Sequence, residues 1–396
     1  MKIGQVTFYN YNYGSVLQCY ATQKVLSNLG VECVLLRTKE GTGKFAAKFI
    51  HLLSIVYMFL RYPMYIKLFI KLWKSTRKAA LKVLSEESLK AIEDFLESEI
   101  NSIACSSKDM SIKAKTNEYV AFISGSDQIW NGDWFLINKM YFLRFAPKHK
   151  RIAWAPSFGT SAIAEYNKGK FRKYISEYMA LSVRESIGAM LINELTGLEA
   201  EVVLDPVLLM TSSQWRTMLV NKDFAALDIE EYILMFFIDK PNEAALESIN
   251  LIQSQTGLQI VVFGHIHEEY LLLNAVRHAD GSPWNFLFMI DRASYVCTDS
   301  FHAFVFALLF HVQAFVFRRQ YAHDSDQSSR IESILDLFNI KDRFIKNSHE
   351  LKLDESDIDF AYIDRKIAQE REKSINYLIH NIKLCADSNA NNVTQG

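Results

Sequence analysis

Apolar and polar positions along this chain switch repeatedly between the two-residue period of strands and the 3.6-residue period of helices. Ile3 to Phe8 is a short β-prone run that ends in the polar loop Tyr9 to Gly14. Ser15 to Leu29 follows as a helix, with Leu17, Ala21 and Val25 on one buried stripe. Gly30 ends it and Glu32 to Arg37 forms the next strand, so the chain opens with a βαβ unit. That implies a parallel sheet with its ligand loops at the strand C-termini. The same grammar returns at Tyr119 to Ser124, Arg151 to Ala155, Tyr178 to Val183 and Glu201 to Leu204, which predicts a Rossmann-like domain over residues 1–210.

A second series follows at Tyr232 to Ile238, Glu243 to Gln255, Ile260 to Phe263, Trp284 to Ile290, Tyr295 to Cys297, Phe301 to Phe310 and Ala314 to Phe317. It predicts a second α/β domain over 225–345. Two such sheets facing each other enclose a cleft that loops from both can reach. Ile363, Ile367, Ile375, Leu378, Ile379 and Ile382 line one face of a helix over 361–385 that must dock on something, and the polar tail 386–396 is expected to be disordered.

Composition narrows the class. With 396 residues, 49% hydrophobic and 22% charged, the chain is an ordinary globular protein. A net charge of −1 excludes the domain-wide basic field of a general nucleic-acid binder. Cys19, Cys33, Cys105, Cys297 and Cys385 are odd in number and scattered, so neither a disulfide frame nor a zinc site is encoded. No secretory signal is read at Met1 to Phe8, and the reading is a protein of the reducing cytoplasm.

Between Lys44 and Lys82 the pattern changes. Nine Lys and Arg residues interleave with Phe49, Leu53, Phe59, Phe69 and Trp73, and no Asp or Glu occurs. The longest uncharged apolar run, Leu52 to Leu60, is too short to span a bilayer. Two readings fit: a helical insertion over 44–111 packed on the N-terminal domain, or a segment at 44–82 resting on anionic lipid at the inner face of the membrane.

Candidate chemistry gathers at strand C-termini. In Cys297-Thr298-Asp299-Ser300-Phe301-His302, a strand runs through an Asp299 or Ser300 N-cap into an apolar helix, with His302 in the first turn. Helix N–H groups there favour an anion, and imidazole exchanges protons near neutral pH, unless His302 is only a packed helix-start histidine. Arg184 ends the stretch Tyr178 to Val183 and offers a planar fork to a carboxylate or phosphate; the alternative is a salt bridge to Glu185. Asn12, Gly14 and Ser15 make a strand-to-helix loop whose backbone donors suit an anion, without a G-x-G-x-x-G fingerprint. Gly125, Ser126, Asp127 and Gln128 form a small-polar loop beside Trp130, a surface for sugar hydroxyls with an aromatic platform, and Asp127 is a second candidate base. Asp205 before Pro206 reads as a turn residue, and Gly264 to Glu269, with His265 and His267, as a solvated loop. No metal and no nicotinamide are expected.

Five segments, Asn12 to Gln18, Phe122 to Asn131, Ser182 to Ser186, Val203 to Leu209 and Thr298 to His302, together resemble the polysaccharide pyruvyl transferase family. The resemblance implies an α/β chain of two Rossmann-like domains facing a cleft, GT-B-like, with a helical insertion in the N-terminal domain and a C-terminal helix. It also implies transfer of a pyruvyl unit from phosphoenolpyruvate, a co-substrate and not a cofactor, to hydroxyls of a free or lipid-linked sugar in bacterial capsule, exopolysaccharide or cell-wall synthesis. Asp127, Arg184 and His302 are then the catalytic candidates. Ser300 stands where the family carries an arginine two residues before the histidine, so a replacement cation is expected from Arg184, Arg318, Arg319 or Arg330. A nucleotide-sugar glycosyltransferase and a non-catalytic part of a polysaccharide assembly complex are the competing readings.

Overall fold

The structure is a computed structural model that describes residues 1–9, 12–38, 60–67, 84–134, 137–224, 227, 229–273, 276–319, 329–353 and 357–393. The first unit contains β1 (Lys2–Val6), α1 (Tyr13–Asn28), β2 (Glu32–Thr38), α2 (Glu86–Glu99), β3 (Ser102–Cys105), α3 (Ser107–Lys115), β4 (Ala121–Ser124) and β5 (Arg151–Ala153). It continues with α4 (Glu165–Ile175), β6 (Ser182–Val183), α5 (Ser186–Thr196), β7 (Glu201–Val202) and α6 (Ser212–Leu219). The second contains β8 (Tyr232–Phe236), α7 (Glu243–Thr256), β9 (Gln259–Phe263), β10 (Val276–Ala279), α8 (Pro283–Arg292), β11 (Tyr295–Thr298), α9 (Phe301–Phe310), β12 (Gln313–Phe317), α10 (Ser329–Phe338) and β13 (Phe344–Ile345). The long α11 (Phe360–Val393) closes the chain.

The strands form parallel sheets in the orders β3-β2-β1-β4-β5 and β10-β9-β8-β11-β12-β13, with β6 and β7 as a small pair. In each large sheet the order reverses beside the strand that leads into the candidate site, β1 in the first and β8 and β11 in the second. Such reversals open crevices at strand C-termini. All ten residues of α9 are buried, so this helix is apolar all round and central rather than one-sided.

The two units share one core. Tyr13 stacks on Phe286 at 5.1 Å, and Tyr20 meets Trp284 edge-on at 5.4 Å and Phe95 at 5.8 Å. Each pair joins α1 to α8 or α2, which fixes the N-terminus of α1 against the second sheet.

Several expectations need correction. The segment 44–111 is not wholly an insertion: α2 packs Ile92 and Phe95 into the shared core and β3 is the edge strand of the first sheet. Most of 44–82 lies outside the described residues. Helix α1 starts two residues early, at Tyr13, because the Asn12 side chain caps it. The strands at 151–155, 178–183 and 201–204 shorten to two or three residues.

The tail is ordered further than its polarity suggested. Helix α11 runs to Val393, with Asn389 donating to the Val120 carbonyl at 2.9 Å, so a docked amide replaces the solvent that polar composition implied. Ile363, Ile367, Leu378 and Ile382 are buried as expected, whereas Ile379 is exposed and Ser374 and Tyr377 take the face. Tyr377 donates to the Ala153 carbonyl at 3.0 Å and Ser374 Oγ accepts from the Leu204 N–H at 3.0 Å. Helix α11 therefore carries the chain from the second unit back onto the first.

Candidate active site

His302 enters from the second unit. Ser300 caps α9, its Oγ accepting from the Ala303 N–H at 3.4 Å and its own N–H donating to Thr298 Oγ1 at 2.9 Å. This places the imidazole in the first turn, against α1. There Gly14 leaves it room: a Cβ at that position would stand 2.2 Å from His302 Nδ1.

Facing it from the first unit is a buried charge cluster. Asp205 is fully buried, and its Oδ2 accepts from Ser126 Oγ at 2.9 Å, is hydrogen-bonded by Arg184 Nη1, and lies 3.7 Å from His302 Nε2. Asp205 Oδ1 accepts from the Val207 N–H at 3.1 Å, so the residue both caps the turn and anchors the cluster. Burial alone would raise its pKa, yet the Arg184 charge, His302 and the Val207 N–H hold the carboxyl well below the usual range. Asp127 Oδ2 accepts from Ser15 Oγ at 2.6 Å; burial is again outweighed, by His302, Arg184, Ser15 and Arg330, and its pKa is lowered.

Arg184 is buried and stays charged, because Asp205, Glu185 and Asp127 outweigh the cost of burial. Its guanidinium stacks on the Phe301 ring at 4.3 Å, and Nε is 3.6 Å from Glu185 Oε1. Arg184 Nη2 and Nε and His302 Nε2 are buried with no hydrogen-bond partner among the described residues. Glu185 accepts from Ser157 Oγ, and burial dominates its environment, raising its pKa despite Arg184. Arg330 also approaches the Phe301 ring, at 5.9 Å, and its Nη2 donates at 2.6 Å to the Gln128 amide oxygen turned toward it.

The candidates therefore sort by environment. Asp127, Arg184, His302 and Arg330 converge. Arg318 is exposed, its carbonyl accepting from Asn242 Nδ2 at 3.3 Å, while Arg319 turns to Asp299 at 3.2 Å. Asp299, burial-raised, accepts from the Ile238 and Asp239 N–H groups and secures a loop of its own sheet.

Trp130 is not a sugar platform. It is fully buried, stacked on Phe142 at 5.4 Å with Nε1 donating to the Tyr141 carbonyl at 3.1 Å. Ser126 and Gly125 are likewise framework, since Ser126 Oγ is spent on Asp205 and the Ala155 carbonyl, and a Cβ on Gly125 would meet the Trp154 carbonyl oxygen at 1.9 Å. Nor does the Asn12 to Ser15 loop offer a free cradle: the Gly14 N–H is taken by Asn12 Oδ1 at 2.9 Å and Ser15 Oγ by Asp127.

Three contributors were not among the site candidates read from the sequence: Asp205, taken as a turn residue, Glu185, named only as a salt-bridge partner of Arg184, and Gln18. Buried Gln18 donates to Thr7 Oγ1, the Phe8 carbonyl and the Ser15 carbonyl, and accepts from the Ser126 N–H at 3.2 Å. Its sequence signals were its place among the buried positions of α1 and at the end of the family-like segment Asn12 to Gln18.

Comparison with protein families gives a match to the polysaccharide pyruvyl transferase model over residues 12–321. The chain belongs to that family. Its members are transferases, and the matched span takes in every converging residue except Arg330. A sequence comparison with curated proteins finds no match. Among solved structures, the chain is similar to the UDP-GlcNAc 2-epimerase of Methanocaldococcus jannaschii, in complex with UDP-GlcNAc and UDP. The two are 12% identical, with 97% of this chain and 99% of that one covered and a TM-score of 0.49. It is also similar to MurG of Acinetobacter baumannii (10% identity, 98% and 99% covered, TM-score 0.43) and to the glycosyltransferase SnogD of Streptomyces nogalater (10%, 98% and 99%, 0.43).

Proposed function

We propose that this transferase moves the pyruvyl unit of phosphoenolpyruvate onto two hydroxyls of a sugar acceptor, free or lipid-linked, forming a ketal in the synthesis of a bacterial surface polysaccharide. The observation that carries the reading is the pairing of a buried, partly unpartnered guanidinium on Arg184 with an unpartnered His302 Nε2 on either side of Asp205. An enol phosphate needs that combination: cations for a carboxylate and a phosphate, and a proton donor for its methylene carbon.

In this scheme Arg184 and Arg330, both against the Phe301 ring, supply the positive charge that Ser300 does not. His302 gives its proton to the methylene carbon, which becomes a methyl group and leaves an oxocarbenium-like centre at the neighbouring carbon. One sugar hydroxyl adds there and returns a proton to His302. The second hydroxyl displaces phosphate, its proton leaving with the phosphate. Asp127 is the alternative base for a hydroxyl.

Two measurements test this. Phosphoenolpyruvate at 100 times its Kd should stabilise the chain by about 2.7 kcal/mol in a thermal-shift assay, with UDP and GDP silent; the reverse pattern favours a nucleotide-sugar enzyme. His302→Ala should lower kcat about 10²-fold to 10⁴-fold while donor affinity is kept, and near-normal turnover in a folded variant removes His302 from the mechanism.

A further inference from the structure

One carboxylate oxygen is shared by the candidate anion binder and the candidate proton carrier. Asp205 Oδ2 takes Arg184 Nη1 and Ser126 Oγ and stands 3.7 Å from His302 Nε2, while Nη2 of the same guanidinium and Nε2 of the imidazole have no hydrogen-bond partner among the described residues. The charged groups of this cluster come from several elements. Asp205, before the turn at Pro206, and Asp127, after β4, act on the imidazole directly; Arg184, at the end of β6 with Glu185 beside it, and Arg330, at the start of α10, act on those carboxylates, and the uncharged Gly14 of α1 touches the ring.

We propose that Asp205 is a positioning carboxylate that couples arrival of an anionic donor at Arg184 to uptake of a proton by His302. This rests on phosphoenolpyruvate being the donor. In the empty site the Arg184 charge largely neutralises Asp205. A carboxylate or phosphate that hydrogen-bonds the buried Nη2 draws on the same positive charge, so Asp205 is left to be balanced by its other neighbour, the imidazole. Opposite charges at this separation favour the protonated ring, and the incoming anion acts in the same sense.

The proton comes from solvent, and no bond other than N–H is made. Linkage requires the converse: a protonated His302 tightens the donor by the same factor. The general acid is then charged when there is a methylene carbon to receive its proton.

The experiment is calorimetric titration of the full chain with phosphoenolpyruvate in buffers of different ionisation enthalpy, above about pH 7 where the donor phosphate carries its full charge. The wild type should take up a proton on binding, and its Kd should rise with pH, by up to about tenfold per unit. Asp205→Asn should bind with a pH-independent Kd and a buffer-independent enthalpy. His302→Gln should do the same. Ser126→Ala keeps the carboxylate but removes one donor to it, and should retain uptake with its midpoint at higher pH.

A residue that merely supports the fold would alter affinity but not the proton count. Binding of phosphoenolpyruvate by the wild type without proton uptake, or unchanged uptake in Asp205→Asn, overturns the coupling and leaves the donor assignment standing. If Asp205→Asn does not fold, persistence of uptake in His302→Gln overturns it equally. Failure of phosphoenolpyruvate to bind at all overturns the donor assignment itself, and the coupling with it.

Discussion

Gly14 and His302 touch across the boundary between the two units, with the imidazole occupying the space a Cβ of residue 14 would need. The absence of a side chain in one sheet's first helix is therefore a condition for the position of the histidine in the other. Gly14→Ala should displace the ring and cost about 1–3 kcal/mol of stability through overpacking, while lowering kcat more than donor affinity. Urea unfolding and steady-state kinetics on the same preparation check both halves.

Arg184 keeps its charge in Arg184→Lys, but the planar fork that reaches Asp205 with one nitrogen while presenting another is lost. Donor Kd should rise about tenfold or more, the scale of one charge-assisted hydrogen bond. Equal donor affinity in Arg184→Lys and Arg184→Ala would assign the anion to other residues.

Arg330 rather than Arg318 should be the second cation. Arg330→Gln should weaken donor binding, whereas Arg318→Gln, at an exposed position, should leave it within a factor of about two, because surface charges contribute little. Comparable losses in the two variants would count against this assignment.

Acid should loosen the site in a defined direction. Asp205 and Asp127 have folded-state pKa values below the unfolded ones, so their contribution to stability is complete above about pH 4 and is lost as pH falls through the folded values. Glu185 runs the other way: its raised pKa favours the protonated form, a contribution lost as pH rises through the folded value. Urea midpoints should therefore drop steeply below about pH 4 in the wild type and less steeply in a folded Asp205→Asn variant.

Contact with an anionic membrane is the remaining expectation for 44–82. Of this segment the described part, 60–67, leans Tyr65 on Tyr166 at 5.1 Å and turns Leu60 and Met64 outward, 81% and 78% exposed, near Arg61 and Lys67. Co-sedimentation with vesicles should require anionic lipid and weaken as salt rises, with each basic residue near the surface contributing about 1 kcal/mol. Replacing Lys67, Lys71, Lys74 and Lys78 by Glu should abolish it; equal failure to bind neutral and anionic vesicles favours a packed insertion.

The alternation of strand and helix was legible because buried parallel strands and their covering helices leave runs such as Val296 to Thr298 and Phe301 to Phe310. Edge strand β3 was not, since Ser102 to Cys105 is half-exposed and lacks an apolar run. Within the site, His302 and Arg184 stood out because each sits where a strand ends. Asp205 did not: Asp-Pro is an ordinary turn, and its second role depends on residues 21 and 97 positions away. Trp130 misled for the converse reason, its neighbours being polar in sequence while its ring is surrounded by Phe142, Phe158 and Tyr178 in space.

The return of α11 has a mechanical consequence. Arg371 donates to the carbonyls of Leu208 and Met210, so the returning helix is tied to the first unit just ahead of α6, the last helix before the chain first leaves that unit. This tie adds to the shared aromatic core in holding one unit against the other. The contacts of His302 with Asp205 and Gly14 cross that boundary, so proton carrier, carboxylate and glycine are kept in register by the end of the chain as well as by its middle.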